Sequence, residues 1–204
     1  LIFMQKQGPP RVRPVPSPDT LANAALHYLA RFAASEAGLR RVLQNRIRRA
    51  ILQHPDFATD ETRQAQLAEA IEAIIERHRA TGALNDAAYA EMKVRGLRRK
   101  GRSRRMIAQK LGSQGIDRDL VGDALTTFDD GEEPEAAELT AARALAKRRR
   151  LGPYRTTPFS DEGARRKASQ KDVATLARAG FSMRIIRQAL DDAAIEDDTG
   201  EDWD

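Results

Sequence analysis

The 204 residues include 41% apolar but only 5% aromatic side chains, 35 Lys and Arg against 30 Asp and Glu, and no cysteine. Disulfides, zinc–cysteine sites and thiol catalysis are thereby excluded, and no apolar run approaches the roughly 20 residues that would span a bilayer. Few aromatics argue for several thin cores, and the recurrence of Ala, Leu, Arg and Glu without β-branched runs argues for helix nearly throughout. A chain with no cysteine and no signal-peptide core is expected in the cytoplasm.

Residues 1–18 carry Pro9, Pro10, Pro14, Pro16 and Pro18 among scattered bases and are expected to be a disordered lead. Asp19 is expected to cap a helix to about Ala34, with Leu21, Ala25, Leu29 and Phe32 at helical spacing. Ser35 caps a second, with Leu39 and Leu43 one turn apart, until Pro55 and Asp56 interrupt. A third runs from about Asp60 to Arg79, where Leu67, Ile71, Ile74 and Ile75 form one stripe, and Gly82 ends it. The cycle restarts with a helix capped by Asp86, a break at Gly101, a helix capped by Ser103 with Ile107 and Leu111 inward, and one capped by Asp117 to about Phe128. After the acidic link 129–135, Pro134 opens a third cycle that breaks at Gly152-Pro153 and resumes in helices over about 165–178 and 182–194.

Two segments share one pattern. Leu111-Gly112-Ser113-Gln114-Gly115-Ile116-Asp117 returns as Leu176-Ala177-Arg178-Ala179-Gly180-Phe181-Ser182. Gly115 and Gly180 suit the left-handed residue that stops a helix. Asp117 and Ser182 suit the N-cap of the next one, and Ile116 and Phe181 precede those caps where a hydrophobic staple to Val121 and Ile186 would form. The predicted fold is all-α: a tandem array, extended or curved, of three three-helix modules. Its parts are the lead 1–18, modules at 19–82, 83–130 and 131–194, an irregular insertion at 151–164 within the third, and an acidic tail at 195–204. A monomer is expected.

Chemistry is sparse. His27, His54 and His78 have no second ligand at metal spacing. The run Arg95 to Ser103 lacks the order of a phosphate loop, and the carboxylate pairs at 129–130 and 132–133 stand in a linker. No catalytic residue, cofactor or metal is expected, so the chain reads as a binding protein and not an enzyme.

Charge is the stronger signal. The last fourteen residues hold eight acids and no Lys or Arg, leaving residues 1–190 with 35 bases against 22 acids, a net of +13. Such an excess suits a polyanion or an acidic protein surface. Lys93, Arg95, Arg98, Arg99, Lys100, Arg102, Arg104 and Arg105 straddle the first turn of the middle module. Lys147, Arg148, Arg149 and Arg150 occupy the equivalent place in the third, and Arg40, Arg41, Arg46, Arg48 and Arg49 fill the second helix of the first. Arginine forks suit phosphates and carboxylates. A charge run can equally be a solvated helix face. The contact candidates are Lys93, Arg98, Arg99, Lys100, Arg102, Arg104, Arg105 and Lys147 to Arg150.

The segment Ala25 to Arg31 with the Ser35 unit after it, Gly82 to Ala90, Gly101 to Leu111 through Gly115-Ile116, and Ala179 to Ser182 together span about residues 20–192. In their order and spacing the chain resembles the RecX family of bacterial regulatory proteins. The resemblance implies tandem three-helix modules and, as partners, the RecA recombinase and its filament on single-stranded DNA. It further implies a protein lying along the filament groove and inhibiting ATP hydrolysis, strand exchange and co-protease action. The insertion at 151–164 and the acidic tail depart from the family pattern. The alternative is a helical repeat protein that binds nucleic acid directly, without RecA; a third reading is a scaffold whose basic faces are merely solvated.

Overall fold

The first helix starts one step earlier than a cap at Asp19 would set it. Ser17 is the N-cap: its hydroxyl accepts from Thr20 N–H at 3.2 Å while the Thr20 hydroxyl accepts from Ser17 N–H at 2.7 Å, a reciprocal pair. Pro18 fills the first helical position, where its missing N–H costs nothing and its fixed φ fits. In the computed structural model, residues 13–191 are described. The expected lead falls mostly on 1–12 and the acidic tail on 195–204, which lie outside them. Residues 13–17 depart from the expected disorder, for Val15 packs against the first core and a His54 ring nitrogen donates to the Arg13 carbonyl at 2.7 Å.

Among the described residues there are ten α-helices and no strand. They are α1 (Pro18–Leu29), α2 (Glu36–Gln53), α3 (Pro55–Ala58), α4 (Glu61–Ala80), α5 (Asp86–Arg99), α6 (Arg104–Ser113), α7 (Arg118–Phe128), α8 (Pro134–Arg149), α9 (Glu162–Arg178) and α10 (Met183–Asp191). None is long and apolar enough to cross a membrane. Most ends follow the expected chemistry. Ser35, Asp60, Ser103 and Asp117 accept from the backbone amides of Gly38, Arg63, Met106 and Asp119 at 2.8 to 3.1 Å. Asp86 is itself the first residue of α5 rather than its cap. Asp161 caps α9, accepting from Ala164 N–H at 2.7 Å, so that helix opens before residue 165. That bond holds the Asp161 carboxyl below its ordinary range, with the Ser160 hydroxyl helping.

The chain forms two compact units, Leu1–Asn85 and Asp86–Asp204. The first has one core, which joins Leu21, Leu39, Leu43, Ile71 and Ile75 with Phe57 from the one-turn α3. Pro55 thus breaks the helix yet starts another turn that seats a buried aromatic, with Gln64 Nε2 donating to the Phe57 carbonyl at 2.8 Å. The second unit has two cores. One gathers Val94, Ile107, Leu111, Ile116 and Val121 from α5–α7; the other gathers Leu145, Leu176, Phe181, Ile185 and Ile186 from α8–α10. Both staple pairs, Ile116 with Val121 and Phe181 with Ile186, are buried in their respective cores. The expected division at residue 130 therefore separates two cores inside one unit.

Candidate nucleic-acid and protein interface

In α5 the inward positions Ala90, Val94 and Arg98 repeat every four residues, so the stripe that builds the core carries Arg98 inside with it. Arg98 is only 6% exposed. Its Nε and Nη2 donate to Asp129 Oδ1 at 3.0 and 2.8 Å, its Nη1 to Glu138 Oε1 at 2.8 Å, and its Nη2 also to the Ala137 carbonyl at 3.1 Å. Arg104 completes the group: its Nη1 donates to Asp129 Oδ2 at 2.5 Å and its backbone N–H to Glu138 Oε1 at 2.8 Å. Two guanidinium groups thus face two carboxylates, with no net charge. A buried ion network of this kind adds little net stability over an apolar core but penalises any geometry that leaves one member unpaired. It ties α5 and α6 of one core to α8 of the next.

Other candidates serve the same joint. Arg148 donates to the carbonyls of Arg99 and Lys100 at 2.6 and 2.9 Å, satisfying the free end of α5, and Arg102 Nη1 donates to the Arg178 carbonyl at 3.1 Å. Ser103 N–H donates to the Ala179 carbonyl at 3.0 Å. The glycines explain how the backbones come so close. At Gly101 (φ +70°) a Cβ would fall 2.9 Å from Leu145, and at Gly180 (φ +98°) it would fall 2.8 Å from Met106 Cβ and collide with the Ser103 hydroxyl.

The basic run that is continuous in sequence is thus divided in the structure. Arg98 faces the interior, which removes it from the outward-facing set: its guanidinium is saturated by protein acceptors. Arg102, Arg104 and Arg148 spend donors on the same joint. Lys93 lies 5.0 Å from the Tyr89 ring centroid. Arg99, Lys100, Arg105, Lys147, Arg149 and Arg150 remain exposed. At the turn and cap positions, Gly115 and Gly180 have φ of +84° and +98°, Asp117 caps α7, and Ser182 accepts from Ile185 N–H at 3.3 Å.

Two outward features accompany these cations. Between α5 and α6 a groove of about 380 Å³ is floored by Leu97 and Leu111 and edged by Lys93, Lys100 and Lys110. In the first unit, Arg13, Arg46 and Arg49 border a hollow of about 400 Å³ beside Pro14 and Pro16, while Arg40 is drawn off to Glu72 at 2.8 Å. The acidic partners missed by sequence reasoning are Asp129 and Glu138. Their signal was the inward register of Arg98, which requires a buried counter-charge somewhere in the chain.

Comparison with known proteins places this arrangement. Residues 85–125 match the family model described as RecX, second three-helix domain. The chain is 41% identical over 187 residues to the regulatory protein RecX of Myxococcus xanthus, covering 92% of each chain. It is 40% identical over 103 residues to the protein of the same name from Agrobacterium fabrum, half of this chain and 49% of that one. The crystal structure of RecX from Lactobacillus salivarius superposes with a TM-score of 0.56 at 21% identity, over 87% of this chain and 96% of that one, a likeness of fold.

Proposed function

The chain belongs to the RecX family of regulatory proteins, and from that membership we propose that it binds RecA, or RecA assembled on single-stranded DNA, and inhibits its ATPase, recombinase and co-protease activities. The observation behind this reading is the 41% identity maintained over 92% of this chain and 92% of the Myxococcus xanthus protein. Exposed cations supply a physical means. Arg99, Lys100 and Arg105 in one module and Lys147, Arg149 and Arg150 in the next face solvent, and a DNA-bearing protein filament offers phosphates and acidic surface together. The neutral joint between these modules fixes their spacing, so that both sets meet the filament in one register. The protein acts by occupancy, as a binder and not a catalyst, in the reducing interior of the cell.

The test is DNA-dependent ATP hydrolysis by RecA with this protein added below stoichiometry. A fall in rate is expected, since one molecule touching several subunits hinders filament growth or turnover. Unchanged ATPase, strand exchange and filament length at saturating protein would refute the proposal. The exposed cations by themselves also fit a protein that binds DNA without RecA. Equal affinity for naked DNA and for the filament would favour that reading.

A further inference from the structure

Between the end of α8 and one face of α9 runs a groove of about 470 Å³ bordered by Arg149, Arg150, Lys167 and Lys171, with Arg155 and Asp172 at its inner end. Asp172 does not neutralise it. Its side chain is buried and engaged: Oδ2 accepts from Gly152 N–H at 2.8 Å, and both oxygens accept from Arg155 Nη2, at 2.7 and 2.8 Å. With Arg155 set against Asp172, the lining retains a net charge of +4. The four cations that make up this charge are exposed and have no acidic partner among the described residues.

Local structure explains only part of this. Lys147 to Arg149 close α8, where the negative end of the helix favours cations. Lys167 and Lys171 stand one turn apart inside α9, where no such field acts. Arg150 sits at φ 54° and ψ 48°, a left-handed cap that glycine or asparagine would fill with less strain. Beside the α9 cations the groove is lined by Ala164 and Ala168, small enough for another backbone to approach closely. Arg155 is aimed by Asp172, lies 5.5 Å from the Phe159 ring centroid, and keeps its Nε buried without an acceptor.

We propose that this groove binds the phosphate backbone of a nucleic acid without regard to base sequence. Arg149 and Arg150 present forks, and Lys167 and Lys171 present point charges along a smooth floor. An acidic protein segment fits less well. Protein interfaces draw their energy from buried apolar anchors, and here the one large apolar side chain, Leu151, is itself only 8% exposed. The inference rests on the reading of a protein that acts on a DNA-bearing filament. It goes further by placing the DNA contact in the third core, at the foot of the insertion, instead of along the middle-module stripe.

The test uses the full chain and two probes, a fluorescein-labelled oligothymidylate and a labelled duplex of mixed sequence, titrated over a range of salt. A variant with Arg149, Arg150, Lys167 and Lys171 all changed to Gln is expected to lose at least about tenfold in affinity for the single strand at low salt. Its log–log salt slope should be shallower by about 0.7 for each lost contact. The double variant K167Q/K171Q, altered only at exposed positions of α9, should show about half that change in slope with an unaltered helical spectrum. A third variant, Arg95, Arg99 and Arg105 to Gln, should lose less than the groove variant. Parental affinity and slope in the groove variants would overturn the proposal. So would equal binding of poly-glutamate by the parental chain, which would assign the groove to an acidic protein. RecA-filament binding is measured separately. If the parental chain ignores the filament while the groove variants still lose naked DNA, the groove stands and the RecA reading falls.

Discussion

The turn between α6 and α7 and the turn between α9 and α10 are built on one residue pattern, yet they meet different surroundings. At the first, Gly115 is exposed, and its φ of +84° favours a residue without Cβ. At the second, Gly180 is buried with a φ of +98°, and the space a Cβ would need is taken by Ser103 and Met106 of the preceding core. The adjoining Ala179 carbonyl accepts from Ser103 N–H at 3.0 Å. One copy is a turn; the other is a turn that also seats a neighbour. A repeated motif therefore specifies local conformation in both places, and docking is added by whatever approaches it.

The docked side of this comparison should be the more fragile. Arg98→Met is expected to have the largest effect, about 3–5 kcal/mol in urea unfolding, because it leaves Asp129 and Glu138 short of donors in a buried site. A loss under about 1 kcal/mol would mean that the joint relaxes freely. Next comes Gly180→Val, expected to cost about 2–4 kcal/mol from backbone strain and overpacking together. Gly115→Val, at an exposed position with a left-handed backbone, should cost about 1–2 kcal/mol from that strain. Gly112→Val, inside α6 with open space beside it, should stay within about 0.5 kcal/mol of the parent. Equal losses at Gly115 and Gly180 would erase the distinction between the two copies.

Caps give a gentler version of the same contrast. Ser103 is fully buried and accepts from Met106 N–H at 3.1 Å, whereas Ser182 is exposed and its bond to Ile185 N–H is 3.3 Å. Ser103→Ala should cost about 1–2 kcal/mol and Ser182→Ala about half of that, read from paired thermal melts.

The smallest effect belongs to the first unit, away from both turns. Hydrogen bonds from Arg40 hold the Glu72 carboxyl below its ordinary 4.5, with burial opposing them and the Arg40 charge assisting. A lowered folded pKa means stability that is present above the ordinary carboxylate range and lost as pH falls through the lowered value. Since Glu72 is 57% exposed, solvent screening limits the pair to a few tenths of a kcal/mol. Glu72→Gln should show that deficit near neutrality and none in strong acid, by denaturation at the two pH values.

The local half of this molecule was legible in the sequence because its signals lie within a few residues of each other. Ser103, Asp117 and Ser182 act on amides two or three residues ahead, and Ile116 and Phe181 enter the cores that their spacing assigns. Pro18 was the overlooked cue at the first helix, since proline at the first position outranks Asp19 as a start signal. The joint was not legible in the same way. Arg98 sits in a run of cations that reads as one basic stripe, and its partners Asp129 and Glu138 are 31 and 40 residues away in segments that read as a linker and a helix start. The α8–α9 groove was hidden for a related reason. Lys167 and Lys171 are unremarkable until α9 folds back beside Arg149 and Arg150.

The cluster of Arg98, Arg104, Asp129 and Glu138 also bears on how the second unit responds to heat. Charged groups are hydrated at a large entropic cost, so the penalty for keeping them out of water shrinks as temperature rises, while the stabilisation from buried apolar area levels off. The two cores of this unit are thin and rich in alanine, and they gain little from warming. The ionic joint between them gains relative to both. Warming therefore weakens this joint less than it weakens either core, and the two cores are expected to melt in one transition.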